Sequence, residues 1–396
     1  MTADVPATWQ PAAISLIHAF LSAANLSRSA SRAPVAMSLT IRSLNGDSTF
    51  LLIFSPPVAP LSSPGLFPGS FTILVDPWIV GPSIILNSVF SISHHKSQPC
   101  ISHLKELELE PDLILISQSK PDHCHEETLR QLPKDCESTI LATPAAVKKI
   151  QSWNHFRPEF VRALPKYVEG DSRSIHRIIL PPPTPRGTCG EVTVSWLPAR
   201  RDMTALHHAI GVTYRPPCTV LSMLNPGHYI HLPMSPPPSP GSPMTIASSP
   251  RTIVPSPNND REKTLSVVYS PHGVSFDTIR PYATSHLVSE SALPLTALLH
   301  SFDCVENPWW LGGNISTGSP GGFEIAQNLY ARAWISAHDA DKDNRGWAVK
   351  QTRISQSAVE EVKRMLDEGH DGKRKKHTRT QVVSLAPGQE HRIEVG

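Results

Sequence analysis

An α/β sandwich, two sheets packed face to face with helices on their outer faces, is the fold class this sequence predicts. Three observations carry it. Apolar, strand-like runs recur from Ser38 to Trp347. They fall into two β-rich halves, each followed by helix-patterned segments, and such faces are buried by packing layer on layer. The length of 396 residues is ample for a sizeable core.

The elements follow in order. Residues 1–36 read as a disordered leader, Ser- and Ala-rich, with Asp4 its only acidic residue. Arg28 and Arg32 give it some bias of a mitochondrial presequence, the alternative to an untargeted leader. Ser38–Leu44 and Ser48–Phe54 read as paired strands about Asn45-Gly46-Asp47, because Asn-Gly is a strong hairpin signal. Phe71–Val75 is a strand ended by Asp76-Pro77. His103–Leu109 is helix-like, Leu113–Ile116 a buried strand, and Glu126–Leu132 a short helix. Strands follow at Val192–Trp196, Ala209–Tyr214, Cys218–Leu224 and Leu265–Tyr269. Ser357–Glu368 places Val359, Val362, Met365 and Leu366 on one helical face, with Gly369 to end it. The folded domain is thus expected over 37–369. Pro233–Asn259 interrupts it with five Ser-Pro pairs, which can neither form a ladder nor bury much surface, so a disordered insert is expected. Residues 370–396, with Lys373-Arg374-Lys375-Lys376, read as a basic disordered tail; a nuclear address is the alternative to a solvated one.

Composition excludes several classes. Forty prolines are about twice the usual ~5%, but 21 glycines without a triplet period rule out collagen. Six cysteines, none in a Cys-x-x-Cys pair, suit reduced thiols in a cytoplasmic protein rather than a disulfide scaffold or zinc knuckle. A net charge of +2 gives no global reason to expect nucleic acid or a membrane as partner. No run reaches the ~18 apolar residues of a membrane-spanning helix.

The chemistry is concentrated where Leu113–Ile116 runs into Ser117-Gln118-Ser119-Lys120-Pro121-Asp122-His123-Cys124-His125. A rigid strand end dense in polar residues can hold ligands in a cleft, although Asp122 would also serve simply as a helix cap. Four further strand ends follow the same pattern: Asp76-Pro77, Pro198-Ala199-Arg200-Arg201, Ser270-Pro271-His272-Gly273 and Ser336-Ala337-His338-Asp339.

This ordered set resembles the metallo-β-lactamase superfamily, whose loop reads His-x-His-x-Asp-His after such a strand. The resemblance spans about Ser38 to Leu366. Within it the chain looks like a metallo-hydrolase/oxidoreductase subgroup of plants and fungi that keeps Gln and Asp-His-Cys-His. It implies an αββα four-layer sandwich. It also implies a metal held by Asp122 and His123 with His338, and with His272 where the family has a bridging aspartate. The first site departs from the family pattern: Gln118, Lys120 and Arg201 stand where three histidines are usual. A dication beside two such cations is repelled by on the order of several kcal/mol, so one divalent metal is expected. Zinc is the first choice, with iron or manganese suiting the same ligands.

The expected activity is hydrolysis of a small, anionic ester-, thioester-, lactone- or phosphodiester-type substrate. Asp122, Lys120 and Arg201 are the catalytic candidates, the two cations holding the anionic group or the oxyanion. A non-catalytic anion-binding scaffold and a mononuclear-iron oxidoreductase are the alternatives. Other residues get quieter roles. His125 faces away or hydrogen-bonds, with ligation of the same metal as the alternative, His207 and His208 are structural, and Cys124 is a small buried residue. Trp309-Trp310-Leu311-Gly312-Gly313-Asn314 is a packed corner, with a cleft wall as the alternative, and Asp339 either orients His338 or turns its loop.

Overall fold

The computed structural model describes residues 36–395 except 58, 60–64, 66, 137, 183–187, 201, 203, 218–263 and 369–379. Two seven-stranded sheets form its body. Across the first run Glu390–Val395, Met37–Ser43, Phe50–Ser55, Phe71–Val75, Leu113–Ile116, Thr139–Ala142 and Val161–Ala163. Across the second run Gln381–Val383, Ala333–Ser336, Ala297–His300, Leu265–Ser270, His208–Arg215, Gly190–Pro198 and His176–Leu180.

The side-chain period of two sorts these strands into layers. Leu113 and Leu115 enter the core between the sheets, where Leu39, Ile41, Ile73, Val194, Val212 and Val267 also meet. Ile114 and Ile116 face the other way, against Ala146, Val147 and Ile150 of the helix Pro144–Ser152. In the second sheet Val268 and Leu298 face Ile279, Ile325, Val362 and Leu366 from helices Phe276–Tyr282, Gly318–Asn328 and Val359–Glu368. The order of layers is therefore helix, sheet, sheet, helix. Close packing fixes small residues here: a Cβ on Gly211 or Gly322 would overlap the Tyr282 or Trp334 ring.

Several expectations need correcting. The tail is not irregular throughout. Gln381–Val383 pairs in parallel with Ala333–Ser336, and Glu390–Val395 antiparallel with Met37–Ser43. Alternation in Glu390–Val395 puts Ile393 and Val395 into the core, which the basic run at 373–376 obscures. His103–Leu109 holds only the 3-10 turn Leu104–Glu106, too short an apolar stripe for an α-helix. The leader, the Pro233–Asn259 insert, the strand expected at Cys218–Leu224 and the basic run lie outside the described residues.

Parallel pairing decides where a site forms. Phe71–Val75 lies parallel to Leu113–Ile116, and Leu265–Ser270, Ala297–His300 and Ala333–Ser336 are parallel in turn. In such an arrangement the C-terminal strand ends share an edge and open a crevice. The turn 44–49 reaches the same edge, since Phe50 pairs with Val75.

Candidate metal centre

Three histidines from three strand ends converge. His123, His272 and His338 each offer a ring nitrogen, all within 4.8 Å of one another. The Nε2 atoms of His123 and His272 are 3.2 Å apart. Asp122 Oδ2 lies 3.6 Å from His338 Nε2 and 3.9 Å from His123 Nε2. Ligands at 2.0–2.1 Å about a tetrahedral ion stand about 3.4 Å apart, so the donor set fits one metal.

Each ring is held from behind. His123 Nδ1 is 2.7 Å from Asp76 Oδ2, His272 Nδ1 is 3.0 Å from the Ile315 carbonyl, and His338 Nδ1 is 3.2 Å from Asp47 Oδ2. These acceptors suit the Nδ1–H tautomer, which turns all three Nε2 atoms toward the common point. Asp76 is itself fixed by Ser117 N at 2.7 Å, Ser117 Oγ at 2.5 Å and the Tyr269 hydroxyl at 2.7 Å. Both Asp76 and His338 occupy the left-handed backbone region, at φ 42° and 72°, a cost of order 1 kcal/mol that tends to gather at functional sites.

Electrostatics favour the neutral, ligating form at His272 and His338 and oppose it at His123. Burial, reinforced by His338 and His123, holds His272 well below the ordinary imidazole range. Burial and Lys342 lower His338 against the opposing pull of Asp47. Burial pulls His123 down too, but Asp122 and Asp76 outweigh it and the net shift is upward. Burial would raise Asp122, yet His123, His338 and Lys342 hold it below the usual carboxylate value.

The structure thus brings together Asp122, His123, His272 and His338. Lys120 is half-buried on the same loop, its carbonyl accepting the His123 and Cys124 N–H groups. Gln118 is buried, with no hydrogen-bond partner for either amide atom; Arg201 lies outside the described residues. His125 caps the helix Glu126–Leu129 through Thr128. His207 ties Gly273 and Asn314 together by their carbonyls. Cys124 is fully buried and its thiol is pushed up to about 12 by burial.

Two expectations change. Asp339 does not reach His338: it accepts the Phe302 and Asp303 N–H groups and the Ser336 hydroxyl. The carboxylate that orients His338 is Asp47, which also accepts Lys342 Nζ at 2.8 and 2.9 Å and the Ala340 N–H. Asp47 lies in what reads as a hairpin turn, but Asn45 Oδ1 captures the Asp47 and Thr49 N–H groups and folds that turn inward. Trp309 and Trp310 form no packed corner, being 88% and 51% exposed. Trp309 borders a cavity of about 730 Å³ that also touches His207, Val274 and Thr317. Thr317 donates its N–H to the His272 carbonyl, so the cavity adjoins the histidine cluster.

Residues 67–178 match the family model described as "Beta-lactamase superfamily domain". That match and the order of the layers give the chain the αββα fold of the metallo-β-lactamase superfamily. No curated protein matches it. Among solved structures it is similar to Igni18, a metallo hydrolase from the archaeon Ignicoccus hospitalis, at 11% identity and TM-score 0.45 over 91% of this chain and 100% of that one. It is similar to an isothiocyanate hydrolase from Delia radicum gut bacteria, at 13% identity and TM-score 0.43, covering 90% and 98%. CmlA, a diiron β-hydroxylase from Streptomyces venezuelae, aligns at 12% identity and TM-score 0.45, covering 92% and 55%. Likeness at this level carries no argument about activity.

Proposed function

We propose that the chain is a metal-dependent hydrolase holding one divalent ion on His123, His272, His338 and Asp122. One observation carries the reading: three imidazoles whose Nδ1 atoms each face an oxygen acceptor, so that three Nε2 atoms meet. When bound, such an ion supplies Lewis acidity and a water acidic enough to act as nucleophile near neutral pH.

The chain's own residues supply the remainder. Asp76, the Ile315 carbonyl and Asp47 fix the rings. Asp122 Oδ1 is buried without a partner and is free to accept a proton from the attacking water. Lys120, with Arg201, holds the anionic part of a small ester-, thioester-, lactone- or phosphodiester-type substrate, or the developing oxyanion. A neutral Gln118 and a cationic Lys120 disfavour a second ion.

Elemental analysis of protein purified without chelators tests this. At most one ion per chain is expected, zinc by preference, and His272→Ala should abolish it. Two tightly bound ions would overturn the single-ion site. Iron would move the reading to a mononuclear oxidoreductase, and no metal after reconstitution to an anion-binding scaffold.

A further inference from the structure

Five of the exposed large apolar side chains lie together. Leu86 and Val89 are 82% and 78% exposed, and Trp309, Trp310 and Trp347 are 88%, 51% and 49% exposed. They form one ridge. Trp347 N–H donates to the Val89 carbonyl, the Phe90 and Trp347 rings lie 6.0 Å apart, and the Trp310 and Trp347 rings 5.7 Å apart. Thr352 Oγ1 binds Asn307 Oδ1 at 2.7 Å, tying the tryptophan loop to the segment after Trp347. A soluble monomer rarely leaves so much aromatic surface together without a partner to cover it.

Charge indicates which partner. The segments 83–93 and 307–317 contain no charged residue, and 346–357 contains only Lys350 and Arg353, both exposed. The adjoining strands add Glu306, across from Arg353, and Asp343, which pairs with Arg345. The ridge is therefore apolar with a cationic margin, and the chain's near-neutral total conceals that local bias. Tryptophan, with an apolar body and a polar N–H, is the side chain favoured at a lipid–water boundary. Trp309 also borders the cavity beside the histidine cluster, so a bilayer against the ridge would lie at the cavity's rim.

We propose that this ridge docks the protein peripherally on an anionic lipid surface, with Leu86, Val89 and the tryptophans entering the interface and Lys350 and Arg353 meeting headgroups. The membrane is touched and not crossed: no helix among the described residues is long and apolar enough to span one.

The test is co-sedimentation of the full chain with phosphatidylcholine vesicles containing phosphatidylserine, against phosphatidylcholine alone, alongside sedimentation velocity without lipid. Binding to the anionic vesicles with a blue shift in tryptophan emission is expected. The double substitution L86D/V89D should abolish it, and K350Q should weaken it about fivefold at low salt. All three side chains are exposed, so unchanged near-ultraviolet circular dichroism is expected and certifies the fold. Failure to bind either vesicle, or binding that survives L86D/V89D, overturns the proposal. So does a concentration-dependent dimer that L86D/V89D dissociates, since a second copy would then cover the ridge.

Discussion

Asp47→Asn is the substitution that best separates a built site from an accidental cluster. Asp47 is 1% exposed and its carboxylate accepts Lys342 Nζ, His338 Nδ1 and the Ala340 N–H. Removing its charge leaves the Lys342 ammonium, on a side chain only 12% exposed, without a counter-ion. Breaking a buried pair from one side costs about 3–5 kcal/mol, and the partial exposure of Lys342 argues for the lower end, about 3 kcal/mol. Loss of the carboxylate behind a histidine ligand should also weaken metal binding by roughly 10–100-fold. Urea unfolding of the metal-free protein reads the first effect, and competition with a chromogenic zinc chelator the second. Adding Lys342→Met removes the stranded charge and should recover about 1 kcal/mol or more of stability but none of the affinity. The acid limb of the stability profile follows the same logic. Burial would raise the Asp47 pKa, but Lys342 and His338 outweigh it and hold it well below the usual value. Its contribution is therefore fully present above the unfolded-state pKa of about 4 and is lost as pH falls through the lower folded value. The variant should lack that loss. A double substitution no more stable than Asp47→Asn, or an unchanged zinc affinity, would refute the assignment.

Three other outcomes are expected. Deleting residues 381–395 uncovers both sheet edges and removes the buried Val382, Leu385, Ile393 and Val395. At about 2 kcal/mol each that approaches the whole stability of a typical domain, so cooperative unfolding should disappear from calorimetry. Gly211→Ala forces a methyl into the Tyr282 ring and should lower stability by about 1–3 kcal/mol, read as a shift in the urea midpoint; no shift would mean that the helix Phe276–Tyr282 yields freely. Cys124, with its thiol held at about 12, should resist iodoacetamide at neutral pH until denaturant is added, while the exposed Cys100 reacts at once, as mass spectrometry of the peptides would show.

Much of this was legible in the residues. Apolar runs such as Leu113–Ile116 mark strands buried on both faces, and the family resemblance carried by the strand-end motifs pointed to Asp122, His123, His272 and His338 before any geometry. What the pattern could not reveal is which groups stand behind the ligands. Asp47 is hidden because Asn-Gly-Asp signals a solvent-facing turn, and only the Asn45 side chain, bonded to the Trp78 carbonyl, turns it inward. Lys342 lies four residues past His338 in a polar stretch that reads as surface. Asp76 had a visible signal, an acid at the end of a buried strand. The late strands were missed because Gln381–Val383 is short and the basic run before it dominates the local composition.

The pairing of Met37–Ser43 with Glu390–Val395 also bears on how the protein is made. A ribosome delivers the first partner more than three hundred residues ahead of the second. Until then the edge beside Met37 offers unpaired amides and carbonyls to any extended chain nearby. Gln381–Val383 leaves the opposite sheet waiting on the same stretch. Neither layer can be completed until residues 381–395 have been made, so assembly resembles closing a clasp behind the rest of the domain. Contacts of such sequence separation form slowly. A nascent chain paused in the basic run would therefore expose two open sheet edges at once, and chaperone dependence should be greatest at that point of synthesis.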